Sequence, residues 1–201
     1  MPAGSPDFPP ALSKADTPLV DAVRGFVFLS GYVWLKKHGH GERYAELLPA
    51  HIRPQLGLIT ATEWIGIDDA LSCYRACDEL GLTVDEQVDV GRTVSAVNNG
   101  VVVATIIRLI GGLGASPWLG LRQIDRIWQR SNRGGAVAVW REARSTARLE
   151  FWKVPMARSR FFTTSMRGAI AVGIEPLCER VLVTELPEHS GPDGFALRVS
   201  W

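Results

Sequence analysis

The stretch AVAVWREARSTARLEFWKV, residues 136–154, decides the fold, because the hydrophobic pattern changes there from a helical to an alternating period. The segments AVAVW (136–140) and ARLEFWKV (147–154) predict two strands joined by a short polar turn. A helix is predicted next, over 160–174, followed by strands over 180–186 and 195–201. Between these strands, residues 188–194 (EHSGPDG) have the composition of a turn.

The residues before this stretch are predicted to be helical. Thr17-Pro18 is typical of a helix start, and the apolar spacing after it extends one helix face to about Gly39. The other predicted helices cover 42–48, 68–81, 83–92, 94–110 and 116–130. Helices over the N-terminal two-thirds, followed by β-β-α-β-β, predict an α+β fold with a four-stranded antiparallel sheet and one long helix.

The amino-acid composition limits which domain organisation and which binding partners can be expected. The proline-rich residues 1–16 are predicted to form a flexible tail, and 17–201 a single ligand-binding-type domain. A balance of 22 basic and 21 acidic residues gives no electrostatic reason to expect nucleic acid or an anionic membrane. Residues 94–115 are long enough to span a bilayer, but Asn98, Asn99 and Arg108 favour a buried helix instead. Three cysteines are typical of a reducing compartment, so we expect a cytoplasmic location.

Two stretches of the sequence resemble a known family of domains. VRGFVFLSGYVWLKKHG (23–39) resembles the first helix of haem nitric-oxide/oxygen-binding domains, and WIGIDDALSCYRACDELGLTVDEQVDVGR (64–92) resembles their following two helices. The terminal sheet with its long helix is similar to that fold and to 4-vinyl-reductase-type domains. The whole chain resembles most a large paralogous protein family expanded in myxobacteria, through Gly91-Arg92, Ser116-Pro117 and Trp201.

The resemblance raises the question of haem. Domains of this type ligate iron through a histidine on a central helix, but residues 92–130 contain none. They also hold the haem propionates with a Tyr-x-Ser-x-Arg motif. Residues 156–160 (MARSR) keep only its arginine, and 163–167 (TTSMR) lack its tyrosine. The sequence therefore argues against haem and predicts no cofactor.

Other chemistries have weak candidates. Cys73 and Cys77 are four residues apart on a predicted helix, and Cys178 could join them, so a zinc site stays open beside the alternative of small buried hydrophobic residues. No nucleophile elbow, zinc-protease or phosphate-loop motif occurs. Arginines concentrate between 122 and 167, interleaved with tryptophans, which indicates either a site for an anionic ligand or a solvated surface.

The resemblance implies a ligand pocket between the helices and the sheet. The residues predicted to line it are Trp118, Trp152, Arg160, Phe161 and Phe162. We therefore predict a non-enzymatic sensor or adaptor domain of bacterial signalling that binds a small hydrophobic or anionic molecule. It would act through a protein partner or as a homodimer. The alternative is a protein-interaction or structural module with no ligand pocket.

Overall fold

The computed structural model describes residues 5–110 and 116–201, and for 98–110 it describes the helical backbone but not the side chains. Residues 1–4 of the predicted tail lie outside the described residues. The elements before the large sheet are β1 (Ala22–Arg24), α1 (Gly25–Lys37), α2 (Gly41–Leu47), β2 (Trp64–Gly66), α3 (Ile67–Asp78), α4 (Val84–Ile110), α5 (Pro117–Leu121), α6 (Ile124–Ser131) and β3 (Asn132–Arg133).

The C-terminal part forms the predicted four-stranded sheet. Its elements are β4 (Ala136–Ala143), β5 (Thr146–Trp152), α7 (Arg160–Ile174), β6 (Leu182–Glu185) and β7 (Gly194–Ser200). The strands pair antiparallel in the order β4-β5-β7-β6, with Leu149 opposite both Val139 and Leu197. These three residues are fully buried. The prediction of an α+β fold with this sheet and one long helix is confirmed.

The chain around Thr17-Pro18 differs from the predicted helix start. Residues Ala22–Arg24 form the central strand of a small antiparallel sheet, of order β2-β1-β3, and α1 begins only at Gly25. The backbone amides of Val20 and Asp21 donate to the carbonyls of Lys153 and Arg133. Because these amides are paired with distant strands, the segment is extended rather than helical.

Helices α4 and α7 pack closely against each other. α4 runs without a break where two helices were predicted, and Gly91 lies within it, against Ser165 of α7. Gly168 of α7 lies against Val88 of α4. At the end of the crossing, the Arg92 guanidinium donates to the Glu175 carboxylate at 2.9 Å. Two glycines therefore let the two backbones approach each other, and an ion pair ties them together.

The N-terminal segment contacts the edge of the large sheet. The Phe8 amide donates to the Val139 carbonyl, and the Val139 amide donates back to Phe8, both at 3.2 Å. The Arg141 amide donates to the Asp7 carboxylate at 2.7 Å. The division into a tail over 1–16 and one domain over 17–201 stays a prediction.

No helix in the described residues is long and apolar enough to cross a membrane.

Candidate functional site

A large apolar cavity lies where the helices meet the inner face of the large sheet. Its volume is about 130 Å³, close to that of cavities that bind benzene, and it opens to solvent at its mouth. Walls come from α1, α3, α4, α6 and α7 on one side and from β4 and β5 on the other. We call this space the main cavity.

Local structure explains which side chains reach the main cavity. On α6, Ile124, Ile127 and Trp128 share one helix face and line it. On β5, Phe151 lines it, whereas the next residue, Trp152, belongs to a separate cluster with Ala136 and Ala138. Successive residues of a strand point to opposite faces, so only Phe151 can reach the cavity.

Four polar side chains stand among the apolar walls of the main cavity. They are Tyr74, Ser95, Ser131 and Asn132. The Ser95 hydroxyl donates to the Ala169 carbonyl at 3.0 Å, and the Asn132 amide nitrogen donates to the Trp128 carbonyl at 3.3 Å. None of the described lining residues is charged. The site is therefore built for an apolar molecule with few polar groups.

A smaller cavity, of about 80 Å³, adjoins the main one. Val27, Tyr74, Val94, Phe162, Met166 and Ala169 line both. Tyr44, Cys73 and Cys77 line only the smaller cavity. Burial raises the pKa of Cys73 to about 11, against a weaker lowering by its hydrogen bond with Tyr44. Burial also raises the pKa of Cys77, so both groups are neutral thiols at physiological pH.

Because the pKa of the Cys73 thiol is raised, we expect the folded chain to lose stability at alkaline pH. The unfolded chain releases this proton near pH 9, whereas the folded chain keeps it up to about pH 11. The contribution of the Cys73 thiol to the free energy of unfolding is therefore full below pH 9. It falls by about 1.4 kcal/mol per pH unit as the pH rises from 9 to 11. We expect the difference in the free energy of unfolding between wild type and Cys73→Ala to narrow from pH 8 to pH 10.5 in urea titrations.

The corresponding difference between wild type and Cys178→Ala should narrow less, because Cys178 is only partly buried. Parallel curves for wild type and Cys73→Ala would contradict the assignment.

The cysteines do not form a metal centre with other ligands in the described part of the chain. No group of three or more His, Cys, Asp or Glu side chains is placed there to hold a metal ion. The Cys178 thiol donates instead to the Ile174 carbonyl at 3.6 Å. Cys73 and Cys77 are core residues of α3.

The structure places the predicted pocket residues in three different environments. Phe162 lines both cavities, and Phe161 lines the smaller one. Trp118 packs against Phe8 and Trp201 and donates from Nε1 to the Arg144 carbonyl at 3.1 Å. Trp152 lies on the outer face of the sheet, and the side chain of Arg160 is exposed. These last three residues lie outside both cavities.

Several arginines of the 122–167 window contact acidic or aromatic side chains. The Arg158 guanidinium lies 2.9 Å from the Asp193 carboxylate. Arg141 lies 4.2 Å above the ring of Trp118. Arg148 lies 3.4 Å from Glu150. Such contacts are typical of a neutralised protein surface rather than of an open anion site.

Comparisons with known proteins bear on the fold. No protein-family model matches the chain, and no curated protein matches it. Among solved structures, an Fe(II) unliganded H-NOX protein from K. algicida has a TM-score of 0.60 and 11% identity, over 88% of this chain and 95% of that one. An oxygen-binding H-NOX domain related to soluble guanylate cyclases has a TM-score of 0.52 and 15% identity, over 88% and 94%.

The chain has an H-NOX-type fold. A third structure with this fold, from a study of haem distortion in the H-NOX family, has a TM-score of 0.54 and 13% identity over 89% of this chain and 94% of that one. The sequence-based prediction against haem is therefore wrong, because the solved structures that share the fold belong to haem-binding H-NOX proteins. That prediction rested on missing motif residues, which do not decide the fold.

The main cavity matches the chemistry of haem in part. Its described walls are apolar, as the faces of a porphyrin require, and Met166 contributes a thioether, which is an axial-ligand type for haem iron. Burial raises the pKa of Tyr74, so its phenol keeps the proton and is a poor iron ligand. The chain's four histidines lie outside both cavities. If haem is held here, Met166 is the side chain that would ligate it.

Proposed function

We propose that the chain is a non-enzymatic sensor domain of bacterial signalling that binds a small hydrophobic molecule in the main cavity. The observation that carries the proposal is the cavity itself: a preformed, apolar space between the helices and the sheet of an H-NOX-type fold. It favours this function over the alternative of an interaction module without a pocket. The absence of charge from its described lining favours a hydrophobic over an anionic ligand.

Helix α7 supports a sensing role, because it is in contact with the ligand space and with several other elements. Met166, Ala169 and Ile170 of this helix line the main cavity, and the helix also packs on α4 and β6. An occupant that moves α7 would therefore move both neighbours. We propose that the signal passes to a protein partner or across a homodimer, in the cytoplasm. We also propose kinship with the paralogous myxobacterial family, on Gly91-Arg92, Ser116-Pro117 and Trp201, and with 4-vinyl-reductase-type domains, on the terminal sheet and its long helix.

Titration with N-phenyl-1-naphthylamine, an uncharged probe that becomes fluorescent in apolar surroundings, tests the proposed function. We expect saturable binding with one probe per chain, because the main cavity offers one apolar space between the helices and the sheet. A parallel titration with hemin tests haem as the occupant. If neither the probe nor hemin binds stoichiometrically, the proposed function is wrong.

The hemin titration also tests whether Met166 ligates the iron. If hemin binds in the main cavity, Met166→Leu should shift its Soret band, because leucine keeps the volume of methionine but removes the thioether ligand. Met156→Leu is the matched control, since Met156 is fully buried and lines neither cavity. Hemin spectra that are the same for wild type and both variants would contradict ligation by Met166.

A further inference from the structure

The hydroxyl of Tyr74 is a polar group without a partner. The residue is 6% exposed, and its ring packs edge-on against Phe162 at 5.1 Å and against Phe28 at 5.7 Å. Its hydroxyl makes no hydrogen bond to any described residue. The described side-chain atoms that are both fully enclosed and unpartnered lie elsewhere, on Gln87 and Arg148, so the Tyr74 hydroxyl opens into accessible space. Tyr74 lines both cavities, where a bound molecule could supply the missing hydrogen bond.

The side-chain amide of Asn132 has a second unused polar atom. Asn132 is 6% exposed and lines the main cavity. Its amide nitrogen donates to the Trp128 carbonyl at 3.3 Å, which fixes the side chain at the end of α6. The amide oxygen accepts no hydrogen bond from the described part of the chain. An oxygen in this position can only accept, so it favours a ligand that carries an O–H or N–H group.

The remaining walls restrict the shape and charge of the ligand. Trp128, Phe151 and Phe162 give the cavity aromatic walls, and the Trp128 and Phe151 rings meet edge-on at 5.4 Å. Aromatic walls of this kind favour flat apolar molecules. No described lining residue could neutralise a ligand charge, and burying an unpaired charge is costly.

We propose that the main cavity takes an uncharged aromatic molecule with one hydroxyl or N–H group, which is recognised by the Tyr74 hydroxyl and the Asn132 side-chain oxygen. The inference rests on the proposed function, because it names the ligand class of the same cavity. The Tyr74 hydroxyl can both donate and accept a hydrogen bond, whereas the side-chain oxygen of Asn132 accepts only. The hydroxyl of an aromatic alcohol such as a naphthol can donate to the Asn132 oxygen and accept from the Tyr74 hydroxyl, whereas the corresponding hydrocarbon can do neither.

The test compares 2-naphthol with naphthalene, which differ only by the hydroxyl. We expect wild type to bind 2-naphthol about tenfold more tightly, since one net hydrogen bond in a buried site is worth roughly a factor of ten. Tyr74→Phe should remove most of this preference. Tyr44→Phe is the matched control, because Tyr44 is equally buried but lines only the smaller cavity. Calorimetric titration of both probes on the three proteins measures the preference.

Thermal melting without ligand gives an independent readout. Tyr74→Phe should melt at or above the wild-type temperature, because it removes a hydroxyl without a partner. Tyr44→Phe should melt lower, because the Tyr44 hydroxyl is hydrogen-bonded to Cys73.

Each binding outcome bears on one of the two proposals. Equal affinity of wild type for 2-naphthol and naphthalene would overturn the inference and leave the proposed function intact. A preference for 2-naphthol that survives Tyr74→Phe would overturn the assignment of Tyr74. If neither compound binds, nor N-phenyl-1-naphthylamine, nor hemin, the proposed function itself fails.

Discussion

Replacing Gly168 with alanine is expected to destabilise the folded chain by about 3 kcal/mol or more. A Cβ at this position would lie 2.0 Å from the Val88 carbonyl oxygen and 3.0 Å from the Arg92 amide nitrogen. Both atoms belong to the backbone of α4, so no side-chain rotation can relieve the overlap. The two helices would have to separate, which would open the packing that they share with the main cavity.

Gly173→Ala on the same helix is the matched control. A Cβ added at Gly173 meets no heavy atom within 4 Å, so the substitution should leave stability unchanged or raise it by about 0.5–1 kcal/mol through helix propensity. Urea denaturation of wild type, Gly168→Ala and Gly173→Ala measures the difference. If the two variants have similar stability, the close approach of α4 and α7 at Gly168 is not as described.

Filling the main cavity from its wall should weaken ligand binding while the protein stays folded. Gly173 lines the main cavity, and the open space around its missing Cβ can accept a larger side chain. We expect Gly173→Leu to weaken binding of N-phenyl-1-naphthylamine by about tenfold or more, because the leucine occupies the space that the ligand needs. Fluorescence titration on the purified variant measures the loss, and its melting temperature confirms that the variant is folded.

Gly31→Leu is the corresponding control in the smaller cavity. Gly31 lines only that cavity, and its nearest neighbour would be the Val90 Cγ1 atom, 3.9 Å from the added Cβ. This variant should bind the probe with near wild-type affinity. Loss of binding in Gly31→Leu but not in Gly173→Leu would move the ligand site to the smaller cavity.

The large sheet and its helix could be predicted from the sequence, because long elements carry a clear period. Residues 160–174 were predicted as a helix with the bounds that α7 has. The small sheet could not be predicted, since β1 has three residues and β3 only two. Strands this short have no period, and only their pairing partners, distant in sequence, make them strands.

The candidate site was harder to predict than the fold. The sequence predicts both Phe162 and Trp152 as pocket residues; Phe162 lines both cavities, whereas Phe151, the neighbour of Trp152, lines the main cavity in its place. The alternation of side chains along a strand shows that Phe151 and Trp152 point to opposite faces of β5. It does not show which of the two faces is covered by helices. Tyr74 and Asn132 cannot be singled out from the sequence, because only the folded structure shows which polar side chains lack a hydrogen-bond partner.

Isoleucine methyl groups offer the most direct test that the main cavity is the ligand site. Ile124, Ile127, Ile170 and Ile174 line this cavity, whereas Ile52 and Ile65 are buried elsewhere in the core. In a methyl NMR titration with 2-naphthol, we expect saturable shifts of the four lining residues and little change at Ile52 and Ile65. Shifts confined to isoleucines outside the cavity, or no saturable shifts at all, would contradict this assignment.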